Sequence, residues 1–155
     1  KMLIVNFEET EDIGIVTHYK GKPFTGIGRH LYDNGKTKFE IEMVEGLKQG
    51  KSKGFSEEGI LTSVCNYKND KLNGIFKVFN KKGIIRREGS FIDGKKEGIH
   101  KEYNDVGVLV SNVTYKKDKI VNLDFENFFI DKIKSENESS KTNKNKSKNN
   151  GSIFY

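Results

Sequence analysis

Glycine recurs along this chain at Gly26, Gly50, Gly74 and Gly98, and again at Gly35, Gly59, Gly83 and Gly107, two ladders sharing one spacing of 24 residues without slippage. Such a clock restricts the chain to a supersecondary unit copied along an axis, each copy stabilised mainly by its neighbours. Function is then sought on a repeated surface before a unique catalytic pocket. Positions below are counted from the first glycine of each unit, taken as zero.

Each unit reads as strand, turn, strand, turn. Ile75-Phe76-Lys77-Val78-Phe79 and Ile84-Ile85-Arg86-Arg87-Glu88-Gly89-Ser90-Phe91 are rich in strand formers and too short for stable helices. Between them, Asp33-Asn34-Gly35, Glu57-Glu58-Gly59, Lys81-Lys82-Gly83 and Asp105-Val106-Gly107 each close on a glycine that can supply the positive φ of a short hairpin loop. The second turn is expected at Glu45-Gly46, Asn69-Asp70, Asp93-Gly94 and Lys117-Asp118, where glycine alternates with aspartate, which tolerates the left-handed region.

Apolar residues keep the same time. Position 5 holds Leu31, Phe55, Phe79 and Tyr103; position 11 holds Thr37, Leu61, Ile85 and Leu109; position 17 holds Met43, Tyr67, Phe91 and Tyr115. All three offsets are odd, so a period of two along the strands is expected to bring them to one face of an antiparallel meander. Residues 2–25, with Phe7, Ile13, Ile15, Thr17 and Tyr19 in phase, read as a degenerate first copy without its glycines. A sixth copy fails, because Asn122, Asn127 and Asp131 occupy its diagnostic positions.

The spacing Gly-x4-aromatic-x3-Gly, clearest in residues 74–83 and 98–107, resembles the MORN-repeat family, and most closely its bacterial variant, the kind found in proteins labelled YwqK-family antitoxins. The resemblance covers about Lys22 to Lys119. It implies an elongated single-layer β-meander and a scaffold or protein-binding role, with lipid association also described in the family. Gly54, Ser56 and Ser63 depart from its pattern, so the unit holding them is expected to be the weakest.

After the repeats the pattern changes. Phe125, Phe129 and Ile133 recur every four residues, with Asn122 placed as an N-cap, Asp124 and Glu126 in the first turn and Lys132 and Lys134 at the end. A short amphipathic helix over 122–134 is predicted, covering the last hairpin. From Ser135 to Asn150 there is no apolar side chain, so the tail 135–155 is expected to be disordered. Of the net charge of +6, the stretch from Ser135 to Asn150 carries +2 and the rest of the chain +4, a modest excess scattered among acids, and nucleic-acid binding is not expected.

Chemistry has little support. His18, His30 and His100 fall at unrelated positions and read as surface residues without metal-ligand spacing. Ser63 and Ser111 recur at position 13 but lack a His and Asp arrangement for nucleophilic attack. There is no Gly-x4-Gly-Lys-Ser/Thr loop. No enzyme activity, cofactor or metal is expected, and the lone Cys65 is read as a buried small hydrophobe. No stretch approaches the roughly 18 apolar residues of a membrane span. A leader before Lys1 would not be visible, and the cytoplasm is slightly favoured over a secreted or envelope location.

One polar column stands out. Position 3 holds a base in every unit: Arg29, Lys53, Lys77 and Lys101. With two strands per unit these would recur about every 9.6 Å, beyond the Debye length of about 8 Å at physiological salt. The odd offset predicts that they share the face of Phe55, Phe79 and Tyr103, a surface suited to an acidic protein segment or an anionic head group; snorkelling over the rings is the competing reading.

The sequence therefore predicts an all-β, elongated single-layer antiparallel meander of 24-residue hairpin units (about 2–25, 26–49, 50–73, 74–97 and 98–121, forming a domain over 1–121), a short C-terminal helix and a disordered tail. Its expected role is a non-catalytic protein-interaction scaffold, antitoxin-like in one form. The alternative is a peripheral module on anionic lipid or the cell envelope, and terminal strands could also pair with a second copy.

Overall fold

The structure, a computed structural model, describes residues 1–123, 133–134 and 136–138. Lys1–Leu123 forms one compact unit and Asp124–Tyr155 a second. In the first, the strands are β1 (Ile4–Asn6), β2 (Glu11–Ile13), β3 (Val16–Tyr19), β4 (Lys22–Pro23), β5 (Gly26–Leu31), β6 (Thr37–Val44), β7 (Leu47–Phe55), β8 (Leu61–Lys68), β9 (Lys71–Leu72), β10 (Gly74–Phe79), β11 (Ile85–Ile92), β12 (Lys95–Tyr103), β13 (Leu109–Lys116) and β14 (Lys119–Leu123). From β5 to β14 consecutive strands pair antiparallel in one sheet, β9 extending the β10 edge against β8. The predicted meander is the observed architecture.

Both turn families repeat in detail. Gly35, Gly59, Gly83 and Gly107 all take positive φ, between 79° and 91°. In each of these loops the glycine N–H donates to the carbonyl three residues back, at Tyr32, Ser56, Asn80 or Asn104. At the other end both central residues are left-handed, at Glu45-Gly46, Asn69-Asp70, Asp93-Gly94 and Lys117-Asp118, the type I′ geometry that matches strand twist. Non-glycine residues hold that geometry because neighbouring units satisfy their N–H groups. Glu45, Asn69, Asp93 and Lys117 donate to side chains of Thr25, Gln49, Asn73 and Glu97, at 2.8–3.3 Å. The residue after each donates to the carbonyl of Phe24, Lys48, Leu72 or Lys96. This polar zipper lies at one margin of the sheet.

Residues 2–25 do not form a hairpin of the meander. β1 instead pairs parallel with β5, while β2, β3 and β4 make a separate three-stranded sheet. The position of the closing hairpin glycine is occupied here by Glu11, so that loop cannot form, and the chain turns at Gly14 (φ 64°) instead. The small sheet is tied to the first type I′ turn by Thr17 N–H to the Gly46 carbonyl, 3.0 Å, and Gly46 N–H to the Phe24 carbonyl, 2.8 Å.

The apolar core is short and lies at this end: Val5, Phe24, Ile41 and Met43 are buried, with Phe7, Tyr19, Phe39 and Tyr67 against them. Asn122 is not a helix N-cap; β14 runs through Leu123 and Asn122 pairs with Thr114, because the hairpin register set by the Lys117-Asp118 turn continues past it. Residues 124–132 of the expected helix lie outside the described residues, as do 135 and 139–155 of the expected tail. Ile133, Lys134 and residues 136–138 are helical.

Candidate functional site

Directly paired residues in neighbouring strands point to the same side of a sheet. Following the pairing from the first base gives one unbroken row: Arg29, Glu40, Lys53, Val64, Lys77, Glu88, Lys101, Asn112. The expected column of bases therefore exists, but two carboxylates are interleaved with it. Glu40 lies 4.0 Å from the Lys53 ammonium, Arg29 Nε donates to Asn6 Oδ1 at 2.9 Å, and the Tyr103 hydroxyl donates to Glu88 Oε1 at 2.7 Å. Partial burial, then the bond to Glu88, pushes the Tyr103 hydroxyl up to about 12. Phe55 and Phe79 stand two residues along their strands from Lys53 and Lys77, as Tyr103 does from Lys101, on the ladder's face as expected.

The position-17 column is on the other face, contrary to the sequence reading. Every long hairpin carries a β-bulge between positions 4 and 5: Val78 pairs with Arg87 but Phe79 with Ile85, leaving Arg86 as an extra residue, and Lys38, Thr62 and Val110 repeat this. One added residue reverses the facing of everything beyond it. Arg86 uses its place by donating Nε–H to the Tyr103 carbonyl at 2.7 Å and pairing with Asp105.

That opposite face carries the more structured site. Along the type I′ margin, Met43 pairs with Lys48, Tyr67 with Leu72, Phe91 with Lys96 and Tyr115 with Ile120. The Lys48 ammonium lies 5.2 Å from the Tyr67 ring centroid, and Lys96 lies 4.7 Å from that of Tyr115, contacts in which a cation meets the negative face of the ring. Lys20 and Lys38 likewise lie over the rings of Tyr19 and Tyr32, and among the described residues no lysine of the ladder does so. A second row brings Phe76 within 5.2 Å of Phe91, and the His100 ring within 5.1–5.5 Å of Phe76, Phe91 and Tyr115.

His100 is not the surface residue its isolated position suggested. It is 8% exposed, its Nε2 lies 2.8 Å from the Ser90 carbonyl, and its ring fits against the backbone of Gly89. A third row, Gly54, Ser63, Val78, Arg87, Glu102 and Ser111, completes the face. Together these rows enclose a groove of about 370 Å³, with Cys65 and Val113 on its floor. Burial pushes the Cys65 thiol up, partly offset by hydrogen bonds with Ser52 and Tyr67; burial also raises the Tyr67 hydroxyl.

At the near end of the same face the chain lays its own N-terminal segment. The Phe7 ring sits on Gly28, where a Cβ would collide with it, and lies 5.2 Å from the His30 ring and 6.4 Å from that of Phe39. Phe76, His100, Lys48 and Lys96 escaped the sequence reading. Lys48 and Lys96 were legible as a pair two periods apart; Phe76 and His100, at the even position 2, had no recurring partner to mark them.

The class this geometry defines is a β-hairpin repeat protein with one sheet face partly filled by its own chain. Residues 48–69 match the family model described as MORN repeat variant, so that stretch of the chain is similar to a MORN repeat. The matched stretch includes Gly54, Ser56 and Ser63, the residues expected to depart most from the pattern. No curated protein and no solved structure matches the chain. MORN repeats are generally associated with protein and membrane-lipid interaction, and neither they nor an all-β repeat fold are typical of enzymes. Among the described residues no three metal-ligating side chains come together.

Proposed function

We propose that this chain is a protein-interaction scaffold that holds its partner on the groove face of the repeat sheet. The observation that carries the reading is a groove of about 370 Å³ lined by Tyr67, Phe76, Phe91 and Tyr115, with cations at its margin. Aromatic side chains around a concavity, bordered by polar groups, are the composition of interface cores. An antitoxin-like inhibitor, masking a partner's surface by stoichiometric binding, is the form of this role that the repeat suggests. The ladder of Arg29, Lys53, Lys77 and Lys101, with Phe55, Phe79 and Tyr103, is the competing contact surface for the same role.

One observation favours lipid as a second reading. On the ladder's face, next to the type I′ margin, Lys68 pairs with Lys71, Ile92 with Lys95 and Lys116 with Lys119, all exposed, beside Ile75 and Ile99 at 60% and 54% exposure. Exposed lysines with exposed isoleucines suit an anionic bilayer surface.

Capture from native lysate by the full chain tests both. A partner recovered in near-equal amount and co-eluting on gel filtration, retained by Lys77→Glu/Lys101→Glu and lost by Lys48→Glu/Lys96→Glu, is the expected result. The reverse pattern moves the site to the ladder. Absence of any stoichiometric partner, with salt-sensitive sedimentation on phosphatidylserine vesicles, replaces the scaffold with the lipid reading.

A further inference from the structure

The groove face shows, within the chain itself, what kind of segment it accepts. β1 is an extended strand added to the sheet at β5; Val5, paired with Gly28, is buried, and two residues on Phe7 turns its ring onto Gly28 between His30 and Phe39. Two carboxylates, Glu8 and Glu9, follow it directly. The floor that takes Phe7 is made by a residue without a side chain beside aromatic walls. Further along the same face Tyr67, Phe76, Phe91 and Tyr115 again form an aromatic side, beside the small side chains of Ser63, Cys65 and Ser111.

Charge adds a second condition. Lys48 and Lys96 stand over rings at the margin, and among the described residues neither ammonium lies within 4 Å of a carboxylate. Arg87 and Glu102 are register partners across the floor, one cation beside one anion, and Lys48 and Lys96 add positive charge at its margin. From β8 to β13 the face spans about 19 Å at the usual strand spacing, the length of about six extended residues. A cation held over an aromatic ring and lacking its own counter-ion attracts a carboxylate that approaches with the ligand.

We propose that the groove takes an extended segment of a partner protein that presents an aromatic side chain flanked by Asp or Glu, its ring entering among Tyr67, Phe76 and Phe91 and its carboxylates meeting Lys48 and Lys96. This rests on the docking-face reading above and assigns the ligand to it.

The test is selection of a displayed library of short random peptides on the immobilised full chain, followed by titration of the enriched peptides. The expected outcome is a consensus of one aromatic residue with adjacent acids. Affinity should fall about tenfold in Lys48→Glu/Lys96→Glu and with added salt, and change less than about twofold in Lys68→Glu/Lys116→Glu, which carries the same charge change at exposed positions of the other face. Circular dichroism checks that both variants keep the sheet.

Groove-dependent peptides of basic or purely aliphatic composition would overturn the ligand assignment and leave the docking face standing. Peptides indifferent to Lys48→Glu/Lys96→Glu, together with a lysate partner equally indifferent, would overturn both. No enrichment at all, with a chain that sediments as a dimer unless Lys48 and Lys96 are reversed, would assign the face to a second copy and overturn the proposal.

Discussion

Gly89→Ala is expected to damage the groove from beneath. Gly89 takes no left-handed φ, so the effect is steric: a Cβ would meet His100 Nδ1, Cγ and Cε1 at 2.6, 2.7 and 2.8 Å. Ordinary carbon contacts lie at about 3.5–4.0 Å, so the ring must retreat by about 1 Å. It has little room, being 8% exposed and held among Phe76, Phe91 and Tyr115, with Nε2 bound to the Ser90 carbonyl. Overpacking of this kind costs about 1–3 kcal/mol and loss of the Ser90 bond about 1 kcal/mol. Replacing a strand glycine returns about 0.5–1 kcal/mol. The net expectation is a loss of about 2 kcal/mol, read by urea denaturation followed by circular dichroism with the slope unchanged. In a His100→Ala background the collision is gone, and Gly89→Ala should be neutral or slightly stabilising. If it costs the same in both backgrounds, to within about 0.5 kcal/mol, the packing account of His100 is wrong.

Other consequences are as direct. Phe24 is 2% exposed, and Phe24→Ala should cost about 3–5 kcal/mol in the same urea assay, since it removes the largest fully buried side chain of a four-residue core. Asp70 combines φ of 65° with an Oδ1 that accepts the Lys48 N–H at 2.6 Å. Asp70→Ala should therefore lose both bond and conformational fit, about 2–3 kcal/mol, while Asp70→Gly should lose about 1 kcal/mol, a ranking that thermal melts resolve. The Glu58 carboxyl is lowered from 4.5 to about 2, first by its hydrogen bond with Lys81 at 2.8 Å. Its contribution is thus present above the ordinary carboxylate range and is lost as pH falls towards 2. An NMR titration of the Glu58 side chain should show that midpoint, returning towards 4.5 in Lys81→Ala.

How much of the site was legible depends on whether a side chain repeats. Tyr67, Phe91 and Tyr115 recur at one position and were found as a column, although assigned to the wrong face. Phe76 and His100 share position 2 with Gly28 and Ser52, so no column announces them, and their importance comes from packing across strands. The bases of the ladder were found for the same reason as the aromatics. The carboxylates between them were missed, because Glu40 and Glu88 alternate with Val64 and Asn112.

The sequence by itself determined the strand and turn alternation, because left-handed backbone at Gly35, Gly59, Gly83 and Gly107 is a local stereochemical demand that glycine answers wherever it falls. It likewise determined the 24-residue unit and the positions of the type I′ turns. Tertiary structure decided which residues face each other. The extra residue at Arg86 and its counterparts reverses the facing of every strand beyond it, and such a bulge is stabilised by cross-strand contacts rather than by any residue preference at that site. It also decided that residues 2–25 cover part of one face, since the fate of Phe7 depends on a space at Gly28 made by a strand far along the chain.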